Sequence, residues 1–253
     1  MEKNLRTILR VAADFFLPSR CLSCRRRPIE RFFRGGVCEV CWEALPRLQA
    51  SRCEVCDEPI GSADESDALN AASRCGRCLL SPPPFRRLRA AAPYRGPARQ
   101  ILIALKFGGA DFLAPRLARV MEERLPAAHD AEEVTAVPAT ARARRHADHA
   151  AELLGAAFAA RLGLRFSPRR LVKTRTTRRQ SGLPLALKAG NVRGAFRARP
   201  GAPRSVLIVD DVATSGATAR ECARVLVGAG ARNVDVWCFA RASRDDALAD
   251  EIE

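Results

Sequence analysis

The chain has 253 residues, of which 47% are hydrophobic. This size supports one large core and a small second domain, and it excludes a disordered or fibrous protein. No apolar run approaches the roughly 20 residues of a transmembrane helix, so we predict no membrane span. The net charge is +15, and the stretch 139–204 carries nearly all of it, with 16 Lys/Arg against two acids. We expect a polyanion or a phosphate-bearing ligand to bind there.

Residues 1–20 predict an N-terminal amphipathic helix. Apolar residues recur at helical spacing from Leu5 to Phe16, and Pro18 ends the pattern. We expect this helix to cover apolar surface of a neighbouring domain; a helix lying on a membrane surface is the alternative. Asp14 interrupts the apolar run and no small-residue cleavage site follows, so no export signal is predicted. The ten cysteines then favour a reducing, cytoplasmic location, where thiolates persist as metal ligands.

Eight of the ten cysteines form four CxxC pairs. Each pair can bind one face of a tetrahedral ion, and two pairs complete a four-cysteine zinc site. The sequence thus predicts two structural Zn²⁺ sites in a domain at residues 21–81, with iron–sulfur ligation as the alternative. Adjacent and interleaved pairings both satisfy the spacings. The predicted ligands are Cys21, Cys24, Cys38, Cys41, Cys53, Cys56, Cys75 and Cys78.

Two other features of the cysteine-rich region and its surroundings carry expectations. The segment Asp57–Ser73 contains five acids and no base, which predicts an exposed, solvated loop. Cys222 lies in a predicted helix and Cys238 in an apolar strand, so both are expected in the core.

After the prolines Pro82–Pro84, strand and helix patterns alternate. This rhythm predicts a parallel α/β sheet with helices on both faces, in a domain at residues 85–243. The segment between Leu162 and Val206 is predicted to be irregular. The predicted strands are Leu88–Tyr94, Val134–Val137, Val206–Val209 and Val234–Phe239, and the predicted helices are Pro97–Phe107, Phe112–Leu125, Arg144–Leu162 and Ser215–Val227.

The segment from Val206 to Thr218 is the most specific part of the sequence. Four apolar residues suit a buried parallel strand, and Asp210 and Asp211 follow at its carboxyl end, the edge where open α/β sheets bind ligands. Small, hydroxylated residues around Gly216 then lead into a helix, a pattern typical of phosphate loops. The acids can accept hydrogen bonds from vicinal sugar hydroxyls, directly or through a divalent metal. The bland alternative is a turn whose acids only cap the helix.

At these residues the sequence resembles the type I phosphoribosyltransferases, whose signature for 5-phosphoribosyl 1-diphosphate (PRPP) is this apolar run, acidic pair and Thr-rich loop. With the four CxxC pairs, the resemblance narrows to the ComF family, competence-associated proteins with an N-terminal double zinc ribbon and a phosphoribosyltransferase-like domain. It covers nearly the whole chain. It also includes Leu105-Lys106-Phe107-Gly108-Gly109, Val137-Pro138, Gln180, Asn191-Val192 and Gly194-Ala195-Phe196.

The resemblance implies a ligand and the residues that hold it. PRPP or a related ribose phosphate would bind with Mg²⁺ at Asp210, Asp211, Ala213, Thr214, Ser215, Gly216, Ala217 and Thr218. Anion contacts on the diphosphate side would come from Lys106, Arg142, Arg144 and Arg145. The basic stretch Arg169–Arg179 would lie by a mobile loop and suits PRPP or a nucleic-acid backbone, with contacts from Lys173, Arg175, Arg178, Arg179 and Gln180; a solvated loop without a partner is the alternative.

One segment departs from the family pattern. Where the family reads Arg-Gly-Phe/Tyr-Asn-Gln-Ala after the Val-Pro turn, this chain reads Arg145-His146-Ala147-Asp148-His149-Ala150. This predicts an altered choice of ligand or a loss of activity. His146 and His149 are three residues apart on a predicted helix, where they suit solvent-facing residues, anion contacts or, as a further alternative, a metal site.

Three functions follow from these observations. The resemblance implies a PRPP-binding protein that assists DNA uptake and processing in natural transformation, with single-stranded DNA and a competence helicase or other uptake proteins as partners. A phosphoribosyltransferase acting on a nucleobase-like acceptor is the second. The third is a non-enzymatic adaptor for single-stranded DNA. The sequence leaves the catalytic status open and identifies no catalytic residue.

Overall fold

The computed structural model describes residues 20–26, 36–48, 51–60, 74–127, 130–139, 149–177 and 190–242. The helix predicted at the N-terminus lies outside these ranges. In the described part of the chain, no helix is both long enough and apolar enough to cross a membrane.

A five-stranded parallel sheet forms the centre of the protein. Its order is β1-β7-β6-β2-β3, so that β6 lies in the middle and β1 at one edge. Val206 to Val209 are fully buried, as four consecutive apolar residues in a central parallel strand should be. The strands are β1 (Arg87–Pro93), β2 (Glu133–Ala136), β3 (Arg165–Phe166), β6 (Ser205–Ala213) and β7 (Asn233–Arg241).

Helices cover both faces of this sheet. Successive strand residues point to opposite faces, so Leu207 and Val209 pack with three of the helices while Val206 and Ile208 pack with the last one. The predicted parallel sheet with helices on both faces is therefore confirmed. The described helices are α1 (Glu39–Glu43), α2 (Gly76–Leu80), α3 (Gly96–Phe107), α4 (Ala114–Arg124), α5 (Ala150–Leu162) and α6 (Ala217–Gly228); α3, α4 and α5 form the first group.

The region predicted to be irregular contains three strands, so that prediction is wrong. Besides β3, the strands β4 (Leu171–Lys173) and β5 (Phe196–Ala198) form an antiparallel pair. Phe196 is buried in the cluster that includes α6. Each strand has only two or three residues, and their partners are more than 20 residues apart in the chain, so local periodicity carries little signal for them.

The cysteine-rich part packs on both faces of the sheet. Trp42 and Leu45 join the core formed by α3, α4 and α5, whereas Val55 joins the core on the opposite face. Between them, the Leu88 N–H of edge strand β1 donates to the Val55 carbonyl at 2.7 Å. The cysteine-rich part thus covers an edge that would otherwise expose unpaired backbone groups. The domain boundaries 1–20, 21–81 and 85–243 stay a prediction, because the last two segments share both cores.

Asp57 corrects the expectation of an exposed acidic loop from Asp57 to Ser73. Asp57 is only 5% exposed to solvent. Its carboxylate accepts hydrogen bonds from Arg52 Nε at 3.1 Å and from the Ala90 N–H of β1 at 2.9 Å. Burial raises the pKa of Asp57, and the nearby Arg52 guanidinium opposes that rise. Residues 61–73 of the predicted loop lie outside the described part.

Candidate functional site

The carboxyl end of β6 brings three charged side chains together. Asp210 and Asp211 lie in the second half of the strand, which extends to Ala213 and is thus longer than the predicted Val206–Val209. Lys106, at the end of α3, places its Nζ 2.9 Å from Asp211 Oδ1. The Asp211 N–H donates to Asp210 Oδ1, also at 2.9 Å. Lys106 therefore pairs with Asp211 although the two residues are 105 positions apart in the chain.

The two acids differ in their electrostatic environment. Burial and the Asp211 charge raise the pKa of Asp210 while Lys106 lowers it, and the net pKa is about 7. For Lys106, burial lowers the pKa, but the Asp211 and Asp210 carboxylates outweigh burial and the net direction is upward. Lys106 thus stays cationic and partners Asp211, whereas Asp210 is poised to exchange a proton near neutral pH.

The loop after β6 presents a helix N-terminus to the same edge. Gly216 has a φ of +73°, in the left-handed region that favours glycine, and precedes α6 as its N-cap without a side-chain cap. The Ala217 N–H donates to Ser215 Oγ at 3.3 Å. The first turn of α6 contains no acid. The partial positive charge of this helix end therefore adds to Lys106 and favours an anion such as a phosphate.

Of the remaining predicted contact residues, some lie in the described part of the chain and others lie outside it. Lys173 lies in β4 with its Nζ 5.7 Å from the centre of the Phe196 ring. Arg175 donates from Nη2 to the carbonyls of Asn191 and Arg193, both at 3.0 Å, so it holds the turn before β5. His149 precedes α5, about half exposed, with Nδ1 3.5 Å from Glu152 Oε2. The predicted contacts Arg142, Arg144, Arg145, Arg178, Arg179 and Gln180, and also His146, lie outside the described residues.

Arg170, in the basic stretch, has a structural partner. Its guanidinium forms a two-pronged contact with buried Glu133, with Nε 2.6 Å from Oε1 and Nη2 3.1 Å from Oε2. Glu133 has a lowered pKa because the Arg170 hydrogen bonds and charge outweigh the burial that would raise it. Arg170 is thus not a free cation for a ligand.

We expect Arg170→Ala to lower the free energy of unfolding by about 2 to 4 kcal/mol, because it leaves the Glu133 carboxylate buried without its cation. Arg169→Ala removes an exposed neighbour of equal charge and should change the free energy of unfolding by less than about 0.5 kcal/mol. Urea unfolding of both variants measures the difference. Equal stabilities would show that the Arg170–Glu133 pair does not contribute to folding.

The cysteines form two clusters from adjacent CxxC pairs. Within each cluster all four sulfur atoms lie within 4.8 Å of one another. Four thiolates about 2.3 Å from one zinc ion would lie about 3.8 Å apart, and the Sγ atoms of Cys21 and Cys41 are 3.8 Å apart. The residues thus fit a tetrahedral ion and settle the pairing that the spacings left open. The first cluster is Cys21, Cys24, Cys38 and Cys41, and the second is Cys53, Cys56, Cys75 and Cys78.

Backbone N–H groups support the sulfur atoms of both clusters. Cys38 N–H donates to Cys21 Sγ at 3.2 Å, and Cys75 N–H donates to Cys53 Sγ at 3.3 Å. Burial raises the pKa of Cys53, but the N–H donors of Cys75, Cys56 and Val55 outweigh it and bring the value to about 7. Such donors stabilise the thiolate form that binds metal.

Three charged residues link the second cluster to the sheet, and sequence reasoning did not single them out. Glu58 forms an ion pair with Arg241, which ends β7 and is 1% exposed. Arg220, in the first turn of α6, lies with Nη2 4.0 Å from Cys78 Sγ. Two sequence features could have indicated these residues. Glu58 lies two residues after a CxxC pair, and Arg241 lies at the end of an apolar strand.

Comparison with known proteins identifies relatives along most of the chain. The double zinc ribbon domain family matches residues 12–79. The DNA utilization protein YhgH of Salmonella typhi is 31% identical over 233 residues, which cover 89% of this chain and 98% of that protein. YhgH of Escherichia coli (strain K12) has the same identity and coverage. Competence protein F of Haemophilus influenzae is 25% identical over 243 residues, with coverage of 90% and 99%.

Solved structures resemble parts of the protein. A glutamine PRPP amidotransferase from B. subtilis has a TM-score of 0.39 and 21% identity, over 54% of this chain and 30% of that chain. An adenine phosphoribosyltransferase has a TM-score of 0.35 and 15% identity, over 60% of this chain and 81% of that chain.

The zinc ribbon match and the sulfur geometry agree on the N-terminal part of the protein. The two four-cysteine clusters are sites for structural Zn²⁺. The similarity to YhgH extends from this part through the sheet that carries the acidic pair. Identity of 31% along nearly the full length of both chains shows that the protein belongs to the ComF family, together with YhgH and competence protein F.

Proposed function

We propose that this protein binds PRPP or a related ribose phosphate at the end of β6 and acts in DNA uptake and processing. The observation that carries the proposal is the meeting of Asp210, Asp211, Lys106 and the N-terminus of α6 at one sheet edge. Carboxylates suit the vicinal hydroxyls of a ribose, and helix amides suit its 5-phosphate. The relatives named DNA utilization protein YhgH and competence protein F support the DNA part of the proposal.

Different residues at this edge would bind different parts of the ligand. Ser215, Gly216 and the first amides of α6 would hold the 5-phosphate, and Asp210 and Asp211 would orient the ribose. Lys106 keeps Asp211 in place and adds positive charge where the diphosphate would lie. Mg²⁺, which prefers oxygen ligands, would neutralise the diphosphate when it is bound.

Transfer would proceed by displacement of diphosphate from the ribose anomeric carbon by a nitrogen nucleophile. The bond from that carbon to the diphosphate oxygen breaks and its electron pair leaves with diphosphate, the new carbon–nitrogen bond forms, and the proton lost from the nitrogen passes to solvent. Positioning and charge stabilisation would be the protein's contribution.

Calorimetric titration of the zinc-loaded protein with PRPP and Mg²⁺ tests the binding proposal. Saturable binding is expected for wild type and for Arg169→Ala, whose side chain is exposed. The double variant Asp210→Asn/Asp211→Asn should lose binding by at least about 100-fold, equivalent to about 2.7 kcal/mol. A folded wild type that binds no PRPP, or a double variant that binds equally well, would contradict the proposal.

The same samples separate the three functions. Release of diphosphate that depends on an added nucleobase would indicate a phosphoribosyltransferase. Salt-sensitive binding of labelled single-stranded DNA that is unchanged by the double variant would indicate the adaptor. DNA binding that responds to PRPP in wild type is the result that we expect.

A further inference from the structure

The second zinc cluster and the candidate phosphate loop share Arg220. Its side chain contacts Cys78 Sγ through Nη2, at 4.0 Å. Its backbone N–H donates to the Gly216 carbonyl at 2.9 Å, in the first turn of α6. This backbone bond is the first main-chain hydrogen bond of α6, so a side-chain contact that fixes Arg220 also fixes the helix start next to Gly216.

A second connection reaches the other end of the loop. Glu58, two residues after Cys56, forms an ion pair with Arg241 at the end of β7. The next residue, Ala242, donates its N–H to the carbonyl of Ala213 at 2.9 Å, and Ala213 is the last residue of β6, directly before the loop. The second cluster is therefore linked to both ends of the segment 213–217.

The charges at the second cluster give these links a physical basis. A zinc ion with four thiolates carries a net charge of −2, which neighbouring cations stabilise. Arg77 lies with Nη2 3.9 Å from Cys56 Sγ and 3.5 Å from Glu58 Oε2, and Arg220 approaches Cys78. Hydrogen bonds between a guanidinium and a thiolate are charge-assisted and hence directional. Zinc loading would thus strengthen the contact that holds the first turn of α6.

The first cluster has a different set of neighbours. Trp42, in α1, follows Cys41 directly and packs under Arg116 of α4, whose guanidinium carbon lies 4.5 Å from the ring centre. Arg116 also pairs with Glu39. Arg116 therefore joins the first cluster to α4, on the face of the sheet opposite α6, and it provides a matched arginine for comparison with Arg220.

We propose that the second zinc centre holds the candidate ribose-phosphate loop in its ligand-binding shape and that Arg220 is the positioning residue. The proposal rests on the proposed function for the identity of the ligand. The shape of the loop can be measured without any ligand, so the two proposals can fail separately.

The experiment compares Arg220→Gln, Arg220→Lys and Arg116→Gln in the full-length, zinc-loaded protein. Zinc content, hydrogen exchange of the amides at 214–218 and calorimetric binding of PRPP with Mg²⁺ are measured for each. Arg220→Gln should retain two zinc ions, raise loop exchange about tenfold and weaken PRPP binding about tenfold, equivalent to about 1.4 kcal/mol. Arg220→Lys should recover part of both effects because its ammonium keeps the charge but not the planar fork. Arg116→Gln should leave both readouts near wild type.

The outcomes distinguish the two proposals. If wild type binds no PRPP, the proposed function fails, and the exchange of the ligand-free loop still decides the role of Arg220. If Arg220→Gln shows the loop exchange of Arg116→Gln, the inference is overturned. Raised exchange in Arg220→Gln with partial recovery in Arg220→Lys supports it.

Discussion

Cys21→Ser is expected to remove one of the two zinc ions and to lower the free energy of unfolding by at least about 4 kcal/mol. Cys21 is fully buried and belongs to the same hydrophobic cluster as Trp42 and Leu113. A serine hydroxyl does not replace the thiolate as a zinc ligand, so the core loses the ion that ties residues 21–24 to residues 38–41. Elemental analysis for zinc and urea unfolding measure the two effects.

Cys222→Ala is the matched control for this prediction. Cys222 is equally buried but lies in α6, outside both four-cysteine clusters. This variant should retain two zinc ions per chain and lose only about 1 to 2 kcal/mol, the usual range for a small cavity in a core. If Cys21→Ser also retained two ions and wild-type stability, the first cluster would not be a structural zinc site.

Asp210→Asn is expected to stabilise the ligand-free protein at neutral and alkaline pH by roughly 1 to 4 kcal/mol. Burial and the Asp211 charge together outweigh the nearby Lys106 and raise the pKa of Asp210 from the ordinary 3.8 to about 7. Between pH 3.8 and about pH 7, the carboxyl of Asp210 is ionised in the unfolded chain but still protonated in the native protein. Wild-type stability therefore falls as pH increases through this window, and the cost is complete above about pH 7. Asparagine does not ionise, so the Asp210→Asn variant avoids this loss of stability.

Asp211→Asn provides the opposite expectation at the adjacent position. It removes the carboxylate that lies 2.9 Å from Lys106 Nζ and leaves that largely buried ammonium without its nearest anion. We expect a loss of about 1 to 3 kcal/mol. Urea unfolding at pH 5, 7 and 8.5 compares both variants with wild type. If the stability gained by Asp210→Asn over wild type did not increase between pH 5 and pH 8.5, Asp210 would not be the carboxyl with the raised pKa.

These two acids illustrate a conflict between stability and binding. An ionised Asp210 destabilises the ligand-free protein, yet the proposed ribose contacts need carboxylate oxygens at this edge. Natural proteins commonly retain such unfavourable groups where a ligand requires them. The stabilised Asp210→Asn variant should accordingly bind PRPP more weakly than wild type, which is the reverse of its effect on folding.

The local features of the fold followed from the sequence because each depends on residues close together in the chain. Four apolar residues before Asp210 indicated the central strand, and glycine and hydroxyl residues indicated the turn into α6. CxxC spacing alone identified all eight zinc ligands. The ends of β6 and α6 differed from prediction by a few residues, because the last residues of a strand or helix depend on the segments that pair with them or pack against them.

The tertiary structure decided every relationship between distant segments. It paired adjacent cysteine knuckles, buried Asp57 against β1 and brought Lys106 to Asp211. It also paired β4 with β5 and packed Phe196 in the core with α6, although each of these strands has only three residues. Spacing and composition determine what a residue can do, whereas its partner depends on how the chain packs. That packing sets the distance, burial and charge at each contact, and these vary between proteins with the same local motif.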